Sequence, residues 1–190
     1  MQKFYDNYNG SLIEALHAID PQQLSGLTDA IDRAYQNGNQ IFILGNGGSA
    51  ACASHWVCDF NKGVNTPNSK RMKMYSLSDN TSIVSALGND ISYNDIFSYQ
   101  LKNFAAQEDL IICLSVSGKS PNLISAVEYG NKIGCNTYSI IGDYEGELGR
   151  ISKHAIIVKS KNYGVVEDIH LIINHMISQY MKEKNEQQAG

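Results

Sequence analysis

Two stretches of the chain are apolar without interruption, Ile41 to Leu44 and Leu110 to Val116, the kind of run that a parallel strand buried on both faces requires. Around them the apolar residues are spaced for helices. Phe4, Leu12, Ile13 and Leu16 recur at roughly helical intervals over residues 2–17, and Leu24, Leu27, Ile31 and Tyr35 do so over 20–36, ahead of Gly38. Further strands are predicted from Met72 to Leu77, Thr137 to Ile141 and Ala155 to Val158. Helices are predicted from Thr81 to Leu87, Ile96 to Phe104, over 121–133 with Gly134 as its stop, in a short stretch to Lys153, and over 165–184. Strand alternating with helix specifies an α/β fold: a five-stranded parallel sheet flanked by helices, doubly wound in the flavodoxin-like manner. The expected organisation is a single domain over 1–190, with leading helices 1–37, an α/β core 38–185 and a frayed tail 186–190.

Chemistry enters where the two apolar runs end. The first gives way to GNGGSA, residues 45–50, whose glycines tolerate positive φ and close backbone approach, with Ser49 as the expected N-cap of the next helix. A helix opening there aims free N–H groups and the positive end of its dipole at the loop, so an anion is the natural occupant. The loop has neither the closing Lys-Ser/Thr of a nucleotide P-loop nor dinucleotide spacing, and an unliganded turn is an equal reading of it alone. The second run ends in SVSGKSPN, residues 115–122, where Ser115, Ser117, Ser120 and Gly118 precede a helix starting near Pro121. Two such loops after buried strands fit the rule that open parallel sheets bind ligands at their carboxyl ends.

Composition narrows the class. A length of 190 residues with 43% hydrophobic content suits one globular domain, and a net charge of −4 argues against a surface that coats nucleic acid. No apolar run approaches a membrane span, and MQKFYDNYNG is not built like a signal peptide, so the cytoplasm is the expected compartment and a small molecule the expected partner. Cys52, Cys58, Cys113 and Cys135 lack metal-site spacing, lie in apolar stretches, and are expected to pack as reduced thiols.

His55 and Asp59 stand four residues apart and share a face of the helix that follows the glycine loop. An imidazole and a carboxylate can bind a metal or move protons near neutral pH. The last helix offers Glu167, Asp168, His170 and His175 among apolar neighbours, where buried charge is costly without a partner. Glu167 and His175 are separated by about 12 Å along a regular helix, which strains ligation of one metal from a single element. Either Glu167 precedes the helix proper or the site combines subunits.

These motifs, in this order, resemble the SIS-domain phosphoheptose (sedoheptulose 7-phosphate) isomerases over nearly the whole chain: GNGGSA at 45–50, Leu-Ser-Asp at 77–79, GND at 88–90, SVSGKSPN at 115–122 and EDIHLIINH at 167–175. The resemblance implies a homotetramer with active sites between subunits, interconverting a ketoheptose 7-phosphate and its aldose through an enediol. It implies that Asn46, Gly47, Gly48, Ser49, Asn89, Asp90 and Glu167 contact the phosphosugar and that Ser115, Val116, Ser117 and Ser120 cradle its phosphate. It implies Zn2+ on His55, Asp59, Glu167 and His175, with Asp59 and His175 as the acid/base pair. Three residues depart from the pattern: Asp59 stands for Glu, which withdraws the carboxylate by roughly 1.5 Å; Glu167 stands for Gln, adding a negative charge; Val116 stands for a hydroxyl residue. A non-catalytic SIS module, resembling replication-initiator-associating scaffolds, and a sugar-phosphate sensor are the rival readings. Retention of a histidine and a carboxylate favours the enzyme.

Overall fold

Short apolar strands separated by helices long enough to return the chain to the same edge enter a sheet in one direction. In the computed structural model, which describes residues 1–67 and 69–189, five parallel strands stand in the order β2-β1-β3-β4-β5. They are β1 Ile41–Gly45, β2 Met74–Ser76, β3 Leu110–Ser115, β4 Asn136–Gly142 and β5 His154–Val158. Ile41 pairs with Met74 on one side and Leu110 on the other. The connections leave β1 in opposite directions, so the topological switch point, where doubly wound proteins take their ligands, falls between β1 and β3.

Alternation along the strands divides the core in two. Ile41 and Ile43 join Leu110, Ile112 and Leu114 beneath α1 Gln2–His17, α2 Pro21–Asn37, α3 Gly48–Cys58 and α8 Tyr163–Ala189. Phe42, Leu44, Ile111 and Cys113 face α4 Thr81–Asp90, α5 Ile96–Phe104, α6 Pro121–Ile133 and α7 Leu148–Ile151. Helix α3 does not end in a loop: it runs into a π-helical turn, Asp59–Gly63. On the first face α3 and α8 lie side by side in the same direction, since Glu167 meets Gly48, His170 meets Trp56 and Asn174 meets Asp59.

Several boundaries differ from the periodicity. Strand β2 is only Met74–Ser76, an edge strand paired on one side. Helix α4 continues to Asp90, so Asn89 and Asp90 close a helix instead of breaking one. Helix α8 starts at Tyr163, where Asn162 Oδ1 accepts the Val165 amide at 3.3 Å. It runs on to Ala189 through the stretch expected to fray, because buried Asn185 donates to the Val64 carbonyl at 3.1 Å and ties the last turns to the body. Cys52, Cys113 and Cys135 are buried as expected, but Cys58 faces outward at the end of α3. Among the described residues no helix is long and apolar enough to cross a membrane.

Candidate active site

Strand β1 delivers the chain to a turn with no room for side chains. A Cβ on Gly45 would lie 2.4 Å from the Ser49 backbone oxygen. Gly47 adopts φ 55 and ψ −124, a conformation L residues avoid, and is itself the cap of α3. The helix therefore opens at Gly48, and Ser49, expected to cap it, lies buried within its first turn. Asn46 is fixed by a reciprocal amide pair: its Nδ2 donates to Asn122 Oδ1 and Asn122 Nδ2 donates back to Asn46 Oδ1, both at 2.9 Å. Asn122 is 1% exposed in the first turn of α6, so this pair bolts the glycine loop to the serine loop across the switch point.

In the serine loop, Ser115 Oγ accepts the Gly118 amide at 3.0 Å and Ser117 Oγ accepts the Lys119 amide at 3.2 Å. Ser120 is the N-cap residue of α6, ahead of Pro121, without a side-chain cap bond. Its hydroxyl is the one in this loop not engaged in shaping it. The Val116 side chain is buried in the core and its carbonyl accepts the Gly142 amide at 3.0 Å, so only its N–H remains for a ligand. Asn89 and Asp90 are exposed and bonded to each other at 2.7 Å. The nearby Tyr93 hydroxyl donates to Asn46 Oδ1 at 3.3 Å, connecting the segment after α4 with the glycine loop.

Farther along α3 the ionisable groups converge. His55 Nε2 lies 3.3 Å and His175 Nε2 3.6 Å from Asp59 Oδ2, and the two Nε2 atoms are 3.1 Å apart. At that separation one ring N–H can donate to the other ring nitrogen. These three residues form the group able to hold a metal ion among the described residues, with one donor atom from each within 4.8 Å of the others. Buried Asn174 donates from Nδ2 to the same Asp59 Oδ2 at 2.6 Å.

Glu167 is not brought into that cluster. It sits within α8, two turns before His175, and its carboxylate covers the bare Cα of Gly48, where an added Cβ would meet Oε1 at 2.4 Å. There the negative charge lies beside the positive end of α3. His170 is structural: it is fully buried, donates from Nε2 to the Ile140 carbonyl at 3.0 Å, and burial pushes its pKa down to about 4. Asp168 accepts the Tyr8 hydroxyl at 2.6 Å, and that bond, helped by desolvation, raises the Tyr8 pKa to about 12. Three contributors escaped the sequence reading. Asn122 and Tyr93 gave no periodic signal, whereas Asn174 could have been flagged as a polar residue on the buried face of α8.

A flavodoxin-ordered sheet with small-residue loops meeting at its switch point is the architecture of the SIS class, and residues 4–142 match the SIS domain family model. A probable phosphoheptose isomerase of Thermoplasma acidophilum is 32% identical over 87% of this chain and 91% of its own length. The phosphoheptose isomerase of Clostridium acetobutylicum is 30% identical over 97% of this chain and 96% of its own. In fold, the structure of a phosphoheptose isomerase from Neisseria gonorrhoeae superposes with a TM-score of 0.87 at 20% identity, covering 96% of each chain. The chain belongs to the SIS-domain family and, within it, to the phosphoheptose isomerases.

Proposed function

We propose that this chain is an aldose-ketose isomerase acting on sedoheptulose 7-phosphate or a closely related sugar phosphate. The observation that carries the reading is the convergence of His55, Asp59 and His175 on one another, about 10 Å along α3 from the glycine loop. An extended ketoheptose phosphate has comparable length. Its phosphate would take the amides and hydroxyls of Ser115, Val116, Ser117 and Ser120, and its hydroxyls would take Asn46, Gly47, Gly48, Ser49, Asn89, Asp90 and Glu167, leaving C1 and C2 at the cluster.

Two imidazole nitrogens and a carboxylate oxygen form a fitting donor set for zinc, so His55, Asp59 and His175 would hold such an ion, and it would polarise the substrate's oxygens. Glu167 serves the sugar in this reading. Asp59 Oδ1 and His175 Nδ1 take none of the cluster contacts among the described residues and can move protons. Asp59 takes a proton from C1 of the ketose while His175 gives one to O2, making the enediol. Asp59 then returns its proton to C2 and His175 takes the O1 proton, which yields the aldose.

We further place this activity in a cytoplasmic homotetramer of single SIS domains spanning 1–190, with sites between subunits. The exposed Phe4, Tyr5 and Ile13 on α1 support such a contact. A non-catalytic scaffold is disfavoured by the isomerase relatives and by the intact His-Asp-His cluster. NMR of sedoheptulose 7-phosphate incubated with the protein and zinc tests the reading. Aldose anomeric signals are expected, with D59A and H175A each lowering kcat by about 100-fold or more. Absence of product, or undiminished turnover in both variants, would overturn it.

A further inference from the structure

We propose that Asn174 is a positioning residue that sets the orientation of the Asp59 carboxylate. The inference rests on the isomerase reading of the His55-Asp59-His175 site. Asn174 is fully buried, next to His175 in sequence, on a stretch of α8 that packs inward through Ile169, Ile173 and Ile177, with His170 and Ser178 as the buried polar residues one turn before and after it. Its Nδ2 donates to Asp59 Oδ2 at 2.6 Å, the shortest of the contacts to that oxygen, against 3.3 Å for His55 and 3.6 Å for His175. The amide can only face the carboxylate through its NH2, since Oδ1 in that place would set acceptor against acceptor. Oδ1 is consequently left buried without a hydrogen-bond partner among the described residues.

That orphaned oxygen separates a functional role from a structural one. Leucine is nearly isosteric with asparagine and would leave no unmet acceptor here, so the cost of the orphaned Oδ1 offsets what the bond to Asp59 contributes to stability. What the amide supplies is a fixed point for a side chain with only two rotatable bonds. Asp59 starts the π-helical turn and its carbonyl accepts the Val64 amide at 3.0 Å, so its backbone is anchored as well. With Oδ2 held by Asn174 between the two imidazoles, the plane of the carboxylate is set, and with it the direction of Oδ1. Without Asn174, the partly exposed carboxylate would swing toward the imidazoles and water.

The test compares N174L with wild type in melting temperature, kcat and KM. We expect N174L to melt at or above the wild-type temperature, to lose about 10- to 100-fold in kcat, as is usual when an outer partner of a metal-site ligand is removed, and to keep KM within about twofold. In a D59A background the same change should leave residual kcat within about twofold, because Asn174 acts only through Asp59. N174D, close to the native side chain in shape, places a second carboxylate against Asp59, should be more impaired than N174L, and replaces it if N174L fails to fold. A wild-type kcat in either variant, or a kcat loss that merely follows a lowered melting temperature, would overturn the proposal. Inactivity of the wild type would instead sink the isomerase reading. The crystal structure of N174L then decides the positioning: a rotated Asp59 carboxylate upholds it and an unmoved one overturns it.

Discussion

Asp59 is one methylene shorter than the glutamate that its family resemblance leads one to expect, and the surroundings are built to the shorter length. Its Oδ2 already reaches both imidazoles and the Asn174 amide. Lengthening it pushes the carboxylate roughly 1.5 Å into groups that leave no such gap. D59E is therefore expected to lower kcat by about tenfold rather than restore anything, read by the same NMR assay. His170 makes a separate prediction. Its pKa is about 4 in the folded protein against an ordinary value near 6.5, so the unfolded chain binds the extra proton between those values and stability rises with pH through that window. Up to about 3 kcal/mol should be lost as pH falls from about 6.5 to 4. Urea titrations at several pH values check this, and H170Q should flatten the dependence. By spacing alone His170 and His175 looked alike as polar interruptions of one helix, and the family resemblance singled out His175. The direction each faces, one into β4 and one toward α3, separates a buried structural imidazole from one that joins His55 and Asp59.

At the scale of elements, the carboxyl edge of the sheet depends on backbone shapes that side chains forbid. G47A forces an L residue into φ 55 and ψ −124, which costs on the order of 1–3 kcal/mol, and the thermal unfolding midpoint should drop accordingly. G48A should behave differently. Its Cβ collides with the end of the flexible Glu167 side chain, so the midpoint should hardly move while KM rises severalfold as Glu167 is displaced. Helices α5 and α6 were legible to the residue, the latter because Pro121 and Gly134 punctuate it. The central strands were legible because burial on both faces leaves unbroken apolar runs. Strand β2 was not, since an edge strand of three residues carries too short a pattern. The π-helical turn was also invisible, because apolar periodicity does not distinguish one wide turn from an α-helical one.

For the whole molecule, assembly makes the strongest demand. Light scattering after gel filtration should give about four times the 21.0 kDa chain mass, and I13D on α1 should shift the species downward with loss of activity. The site within one chain already joins distant parts: Asp59 and Asn174 are 115 residues apart, as are Cys52 and Glu167. Since α3 and α8 lie side by side, the order of synthesis matters. The ribosome makes all five strands and both the glycine and serine loops before it makes Asn174 and His175. A nascent chain can thus own the strands and both small-residue loops while lacking Asn174, His175 and one wall of its core. A chain cut short after β5 is expected to expose the apolar face that α8 covers, so the last element made is the one that closes this side of the core.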